Sequence, residues 1–155
     1  MPIRSATRHD IPQLIAIGQE SVSAGHWTIA QYEQALAVPQ PRRIVLALEE
    51  PEGILGFAVA AEVAGEWELE NIAVRTSARR RGCADRLLQT LLERLGREQA
   101  GSIHLEVRRS NSAARALYEK WGFRQAGARP GYYHSPPEDA ILYQKNLASA
   151  AREIG

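Results

Sequence analysis

The stretch Glu70–Leu88, ENIAVRTSARRRGCADRLL, constrains the fold more than any other part of the chain. Ile72, Ala73 and Val74 are an apolar strand end, Arg79-Arg80-Arg81-Gly82-Cys83-Ala84 is a turn, and Leu87, Leu88, Leu91, Leu92 and Leu95 then recur at helical spacing. Gly101 leads into a further strand, Ile103–Val107. A helix joining two strands predicts that Ile103–Val107 runs parallel to Glu66–Val74. The turn between strand and helix aims backbone N–H groups, the positive end of a helix dipole and nearby guanidinium groups at one point. That arrangement suits a phosphate or pyrophosphate. Gly82 and Ala84 leave the backbone open to close approach.

The remaining elements are predicted around this crossover. Ile3–Ala6 is a short strand, and Thr7-Arg8-His9-Asp10 has capping-box spacing before a helix that turns Leu14, Ile15 and Ile17 inward. Gly18 weakens that helix and Gly25 marks its exit. Thr28 and Gln31 give a second capping box, for a helix Ile29–Val38, and Ala24-Gly25-His26-Trp27 is the loop before it. After the breaker Pro39-Gln40-Pro41, Ile44–Leu48 and Ile54–Val63 form a hairpin around Pro51-Glu52-Gly53, and Gly65 turns the chain into Glu66–Val74. The crossover helix ends near Gly96–Ala100. Ser110-Asn111 is a helix N-cap site, and the helix runs to about Trp121 before Gly122. Phe123–Ala128 and Ala140–Lys145 are the last strands, separated by a long aromatic loop, Arg129–Asp139. This is a mixed α/β domain over residues 1–147, with residues 148–155 as a frayed tail.

Composition excludes several function classes. Nineteen basic and eighteen acidic residues leave a net charge of +1, without the basic excess of a general nucleic-acid-binding surface. Cys83 is the one cysteine, so no intrachain disulfide forms, and no Cys/His cluster has zinc spacing; no metal is expected. The first residues, MPIRSATRHD, lack a signal-peptide apolar core, and no apolar run approaches membrane-span length. A cytoplasmic location without membrane attachment is the expectation.

Arg79-x-x-Gly82-x-Ala84 after Asn71-Ile72-Ala73-Val74 resembles the acetyl-coenzyme A motif of the GNAT N-acetyltransferase superfamily. Leu105-Glu106-Val107-Arg108-Arg109-Ser110-Asn111, then Ala114, then Leu117-Tyr118-Glu119-Lys120-Trp121-Gly122-Phe123 is similar to the pattern of its RimI-type members, the ribosomal-protein-alanine N-acetyltransferases. Tyr132-Tyr133 followed by Pro137-Glu138-Asp139-Ala140 resembles that group's closing segment, and His26-Trp27-Thr28 falls where it has an aromatic acceptor loop. The resemblance implies a mixed, mostly antiparallel central sheet of about six to seven strands with about four helices, its central parallel strands splayed to admit a pantetheine arm. It implies acetyl-coenzyme A as donor. It also implies a protein N-terminus as acceptor, such as that of a small-subunit ribosomal protein with an N-terminal alanine. A monomer or weak homodimer with no direct nucleic-acid contact is expected.

Acetyl transfer to an amine needs a positioned thioester, a base for the attacking ammonium, stabilisation of the carbonyl oxygen and a proton for the leaving thiolate. An α-amine has a pKa of about 7.7–8, within reach of a carboxylate base. Along its strand, Glu106 shares a face with His104 and Arg108, opposite Ile103, Leu105 and Val107. By position in the motif it is the general base, directly or through a water, the alternative being a surface carboxylate paired with a neighbour. Tyr118 is the matching general acid by the same resemblance, on a helix face with Ala114, Leu117 and Trp121 that core packing alone would also explain. Glu68 and Glu70 share a strand face beside the gap, as alternative or second bases or as a solvated face.

The strand end Ile72, Ala73 and Val74 is expected to hold pantetheine through its main chain. Arg79 is the motif arginine; Arg80, Arg81, Gly82, Cys83 and Ala84 complete the pyrophosphate turn, Arg80 and Arg81 through backbone amides. Asn111 caps its helix and, by resemblance, touches the cofactor. Cys83 at a helix N-terminus has a position where thiol pKa values fall, but direct transfer needs no nucleophile. His26, Trp27, Tyr32, Glu70, Tyr132 and Tyr133 are acceptor-site candidates, with core or lid packing the alternative for the aromatic ones. Two other readings remain open: transfer to a lysine side chain or small amine, and a non-catalytic acyl-coenzyme A-binding module.

Overall fold

A computed structural model describes residues 2–21 and 26–147. The C-terminal tail and part of the loop before Trp27 lie outside the described residues. Strand β1 (Ile3–Ser5) leads through a 3-10 turn, Arg8–Asp10, into helix α1 (Ile11–Glu20), followed by α2 (Ile29–Ala37). The meander β2 (Arg43–Glu50), β3 (Gly53–Val63) and β4 (Glu66–Val74) comes next. A 3-10 turn, Thr76–Ala78, precedes α3 (Cys83–Arg97), and β5 (Ser102–Arg108), α4 (Ser112–Lys120), β6 (Arg124–His134) and β7 (Pro137–Asn146) are the last elements among the described residues.

Both predicted capping boxes form. Thr28 Oγ1 accepts from Gln31 N at 3.2 Å while Gln31 Oε1 accepts from Thr28 N at 2.8 Å. The Asp10 carboxylate accepts from Thr7 N at 2.7 Å, and it is fixed from below by Arg4 at 2.7 and 2.9 Å. Here the box caps the 3-10 turn that feeds α1 rather than α1 itself.

The strands make one seven-stranded sheet in the order β1-β2-β3-β4-β5-β7-β6. Every neighbouring pair is antiparallel except β4–β5, joined by the α3 crossover. Helices cover both faces. On one, Leu87, Leu88, Leu91 and Leu95 of α3 are fully buried against Leu55, Trp67, Leu69 and Leu105. On the other, Leu14 and Ile17 of α1 and Tyr32 of α2 pack on Phe57, Val59 and Ala73. Gly56 is required where β3, β4 and α3 meet, because a Cβ there would lie 2.9 Å from the Ala73 carbonyl oxygen and 3.1 Å from Leu87.

Two features depart from the sequence reading. The segment Arg129–Asp139, expected as a loop, is instead the distal half of the β6–β7 hairpin. Its alternating polar and aromatic residues extend the ladder, with register slips between Gln125 and Gly127 and between Arg129 and Tyr133. Strand β4 carries a bulge: Ala60 pairs with Leu69 and Val59 with Asn71, leaving Glu70 extra. Before it Trp67 and Leu69 face α3; after it Ile72 and Val74 face that side and Ala73 turns to α1. A period-2 reading without the bulge would put the strand end on the wrong faces.

Candidate active site

The parallel pair β4–β5 is laddered only at Trp67–Ile103 and Glu68–His104. Beyond these residues β5 continues to pair with β7 through Arg108 and β4 with β3 through Val74. The two strands therefore splay, as the resemblance implied. A cleft of about 840 Å³ opens between them, lined by β4, the turn after it, β5, α4 and the tyrosines of the hairpin.

At one end of the cleft lies the arginine turn. Arg80 and Gly82 both adopt left-handed backbone, φ +65° and +77°. Alternation of this kind turns successive N–H groups to one side, and α3 begins at Gly82 without a side-chain cap. The N–H groups of the first helical turn thus stand at the positive end of a fifteen-residue helix. Arg79, Arg80, Gly82, Cys83 and Ala84 line the cleft. The Arg81 side chain is directed away, 3.5 Å from Glu52 of the β2–β3 turn. Cys83 is buried, with its Sγ 3.7 Å from the Ala78 carbonyl, and burial pushes its thiol pKa up. That is the reverse of what an activated nucleophile needs. The loop before the turn is braced by Glu20 of α1, which accepts from Thr76 N at 2.7 Å.

The strand end Ile72–Val74 forms the wall next to this turn. Across the cleft stands α4, whose N-cap Asn111 accepts from Ala114 N at 3.2 Å. Tyr118 lines the cleft from the α3–α4 side. Its ring is held 5.7 Å from Phe123 and 6.2 Å from Tyr143, and burial pushes its phenol pKa up. Packing and lining coincide in this residue.

Glu106 points to the opposite face of β5. Its side chain is 19% exposed, with Oε1 3.4 Å from Arg129 of β6, and its carboxylate pushes the pKa of the Tyr132 phenol up. Glu68 lies on the same face; burial, and then the nearby Glu70 and Glu106 charges, push its carboxyl pKa up against the influence of His104 and Arg129. Glu70 is held by Arg43 at 2.8 and 3.4 Å. A second cavity of about 330 Å³ adjoins there, lined by Trp27, Gln31, Gln34, Arg43, Glu68 and Glu70. Glu68 and Glu70 border both cavities.

The structure thus brings together most of the residues singled out from sequence and separates a few. Tyr132 and Tyr133 line the main cleft and Trp27 the adjoining cavity. Tyr32 is different: it is 1% exposed beneath Trp27, with ring centroids 5.3 Å apart, and packs on Phe57 at 6.0 Å. Burial pushes its phenol up to about 12. His26 is bound to the Ser21 carbonyl at 2.7 Å. Arg129 carries no local signal, because its pairing with Glu106 depends on a ladder between segments distant in the chain. The alternation of β6 with β5 across β7 is the signal that would have found it.

These features define a class. The family model described as acetyltransferase (GNAT) family matches residues 12–123, and the chain belongs to that family and is an acyltransferase. Among similar proteins, the [ribosomal protein bS18]-alanine N-acetyltransferase of Escherichia coli K12 is 35% identical over 143 residues, covering 90% of this chain and 93% of the relative. The enzyme of the same name from Salmonella typhimurium is 40% identical over 103 residues, covering 65% and 70%. The crystal structure of the ribosomal-protein-S18-alanine N-acetyltransferase from Escherichia coli superposes with a TM-score of 0.84 at 31% identity, over 95% of this chain and 94% of that one. Among the described residues, no helix is long and apolar enough to cross a membrane.

Proposed function

We propose that this protein acetylates the N-terminal α-amine of a protein by direct transfer from acetyl-coenzyme A. The preferred acceptor is an N-terminal alanine, as on a small-subunit ribosomal protein. The observation that carries the reading is the splay itself. It opens the sheet to both faces, with the Tyr118 ring on the face of α3 and α4 and Glu106 and Glu68 on the other. Donor and acceptor can then meet edge-on within the gap without sharing an entrance.

The chain's groups fit acetyl-coenzyme A. The left-handed turn and uncapped helix start suit a pyrophosphate, and the unladdered edge of β4 offers main-chain groups to an amide-bearing arm. The bound thioester supplies an activated acetyl carbonyl. Arg79 and the turn amides hold the nucleotide end, Ile72–Val74 align the arm, and Asn111 adds a polar contact. Glu106 takes the proton of the acceptor ammonium, directly or through a water, with Glu68 as a second carboxylate on that side. With the donor bound, the nitrogen lone pair would form the C–N bond as the C–S bond breaks, and the surplus proton of the new amide nitrogen would balance the one taken up by the departing thiolate. Tyr118 donates its phenolic hydrogen bond to the departing sulfur. Trp27, Tyr132 and Tyr133 flank the acceptor, with Glu70 at the junction of the two cavities.

The test is a comparison of N-terminal alanine peptides with the same peptides blocked at the α-amine and carrying a free lysine. Transfer to the free α-amine is expected, with Glu106→Gln losing most turnover near pH 7 while acetyl-coenzyme A affinity holds. Transfer confined to lysine or to small amines would refute the acceptor; unchanged turnover in Glu106→Gln would refute the base.

A further inference from the structure

One ion pair at the rim of the cleft, Arg108 with Glu138, takes no part in the steps above, although Arg108 lines the cleft with Tyr133. The Glu138 carboxylate at the start of β7 accepts from the N–H of Ser110, just ahead of the α4 N-cap, and lies 3.4 Å from Arg108 Nη1 at the end of β5. The same Arg108 nitrogen donates to the Pro136 carbonyl at 3.1 Å. Its guanidinium sits 4.2 Å from the centroid of the Tyr133 ring, a cation–π distance. The side chains of Arg108 and Glu138 are each only 17% exposed. Ser110 holds the carboxyl of Glu138 below its usual pKa, and Arg108 adds to this, so it stays charged at neutral pH. Three separate segments (the end of β5, the entry to α4 and the hairpin turn) are thereby tied at one point.

The ladder holds Tyr133 and His134 against Glu138 and Pro137 at the hairpin tip, but it skips residues 130–132. Strand β6 is the edge of the sheet, and its register slips between Arg129 and Tyr133. Yet the rings there are ordered in a relay. Tyr133 meets Tyr132 edge-to-face at 5.1 Å and 87°, and the Tyr132 phenol lies beside Glu106, whose carboxylate pushes its pKa up. The relay from Glu138 through Arg108, Tyr133 and Tyr132 ends at the proposed base.

We propose that Arg108 and Glu138 are positioning residues that lock the hairpin tyrosines over the amine side of the cleft, so that they govern acceptor binding rather than donor binding. This rests on the reading above that the acceptor enters from the Glu106 face.

The experiment is steady-state kinetics of Arg108→Gln, Glu138→Gln and the double variant on the full chain. The acceptor is an N-terminal alanine peptide, and acetyl-coenzyme A affinity and melting temperature are measured alongside. Glu138→Gln retains an oxygen for the Ser110 N–H but loses the ion pair. Each single variant is expected to raise acceptor KM about tenfold, with acetyl-coenzyme A Kd within about twofold of wild type and the melting temperature little changed. Because both changes break one latch, the double variant is expected to match the worse single rather than multiply the two effects. Unchanged acceptor KM, multiplicative losses, or acceptor and donor affinity falling together with thermal stability would each overturn the inference. If wild type rejects the alanine peptide, the acceptor assignment fails, and the same three variants are run with a lysine peptide. A tenfold KM effect there sustains the latch, and its absence ends it.

Discussion

Replacing Tyr118 by Phe removes one oxygen from a ring that the structure holds on several sides. The residue is 5% exposed, with Phe123 and Tyr143 against its ring. Those contacts survive the substitution, so the folded state should change by less than about 1 kcal/mol. Turnover should not survive it. Burial keeps the phenol protonated well beyond the ordinary tyrosine range. Full proton transfer to a thiolate with a solution pKa of about 8.5 would then be uphill, unless burial beside the same ring raises the proton affinity of the departing sulfur in the same way. A positioned acid of this kind is worth about a hundredfold to ten-thousandfold in rate. At about 1.4 kcal/mol per tenfold, that is roughly 3–5.5 kcal/mol of barrier, much larger than the stability change. The assay is single-turnover acetyl transfer with acetyl-coenzyme A saturating, alongside donor Kd and urea unfolding. Loss of rate at constant Kd and midpoint is expected. A rate within threefold of wild type would refute the acid role, and a rate lost only in proportion to stability would reduce Tyr118 to packing. The alkaline limb of the wild-type pH profile should not report this phenol below about pH 10, since its pKa is raised.

Leu91→Ala, at a fully buried position of α3 over the sheet, should cost about 2–5 kcal/mol in chemical denaturation; a cost below about 1 kcal/mol would mean that the site collapses freely. Gly82→Ala meets open space but keeps φ at +77°, so about 1–2 kcal/mol of strain is expected together with weaker acetyl-coenzyme A binding by calorimetry; unchanged affinity would remove the turn from the donor site. Asp10→Asn removes a 6%-exposed carboxylate whose hydrogen bonds with Arg4 hold its pKa down. That contribution is complete above the unfolded pKa of about 3.9 and fades as pH falls through the lower folded value, so the variant should lose about 1.5–3 kcal/mol at pH 7 and converge on wild type in acid. A stability gap that persists at pH 2 would show that packing, not charge, is what Asp10 contributes.

Much of this was legible in local sequence. Helical leucine spacing gave α3, the Thr28–Gln31 box gave the start of α2, and the β2–β3–β4 meander followed from alternation and its turn residues. The arginine turn and the positions of Glu106, Asn111 and Tyr118 followed from spacing read beside a family resemblance, and all four line one cleft. These are short-range properties: a cap, a period or a turn is decided by residues a few positions apart.

Distant pairing accounts for the rest. The bulge at Glu70 exists because β3 and β4 must serve a core on each face, and it sets which side each strand-end residue looks toward. The hairpin Arg124–Asn146 is a ladder rather than a loop because β7 finds β5, a partner whose register the local pattern does not carry. Pairing across that ladder sets Arg129 against Glu106 and Arg108 against Tyr133, and burial under Trp27 takes Tyr32 out of the cleft. Local pattern was thus enough for the kind of domain and for the turn suited to an anion. Which charged groups face one another across the gap was set only when strands far apart in the chain came into register, since a one-residue slip exchanges the two faces of a strand.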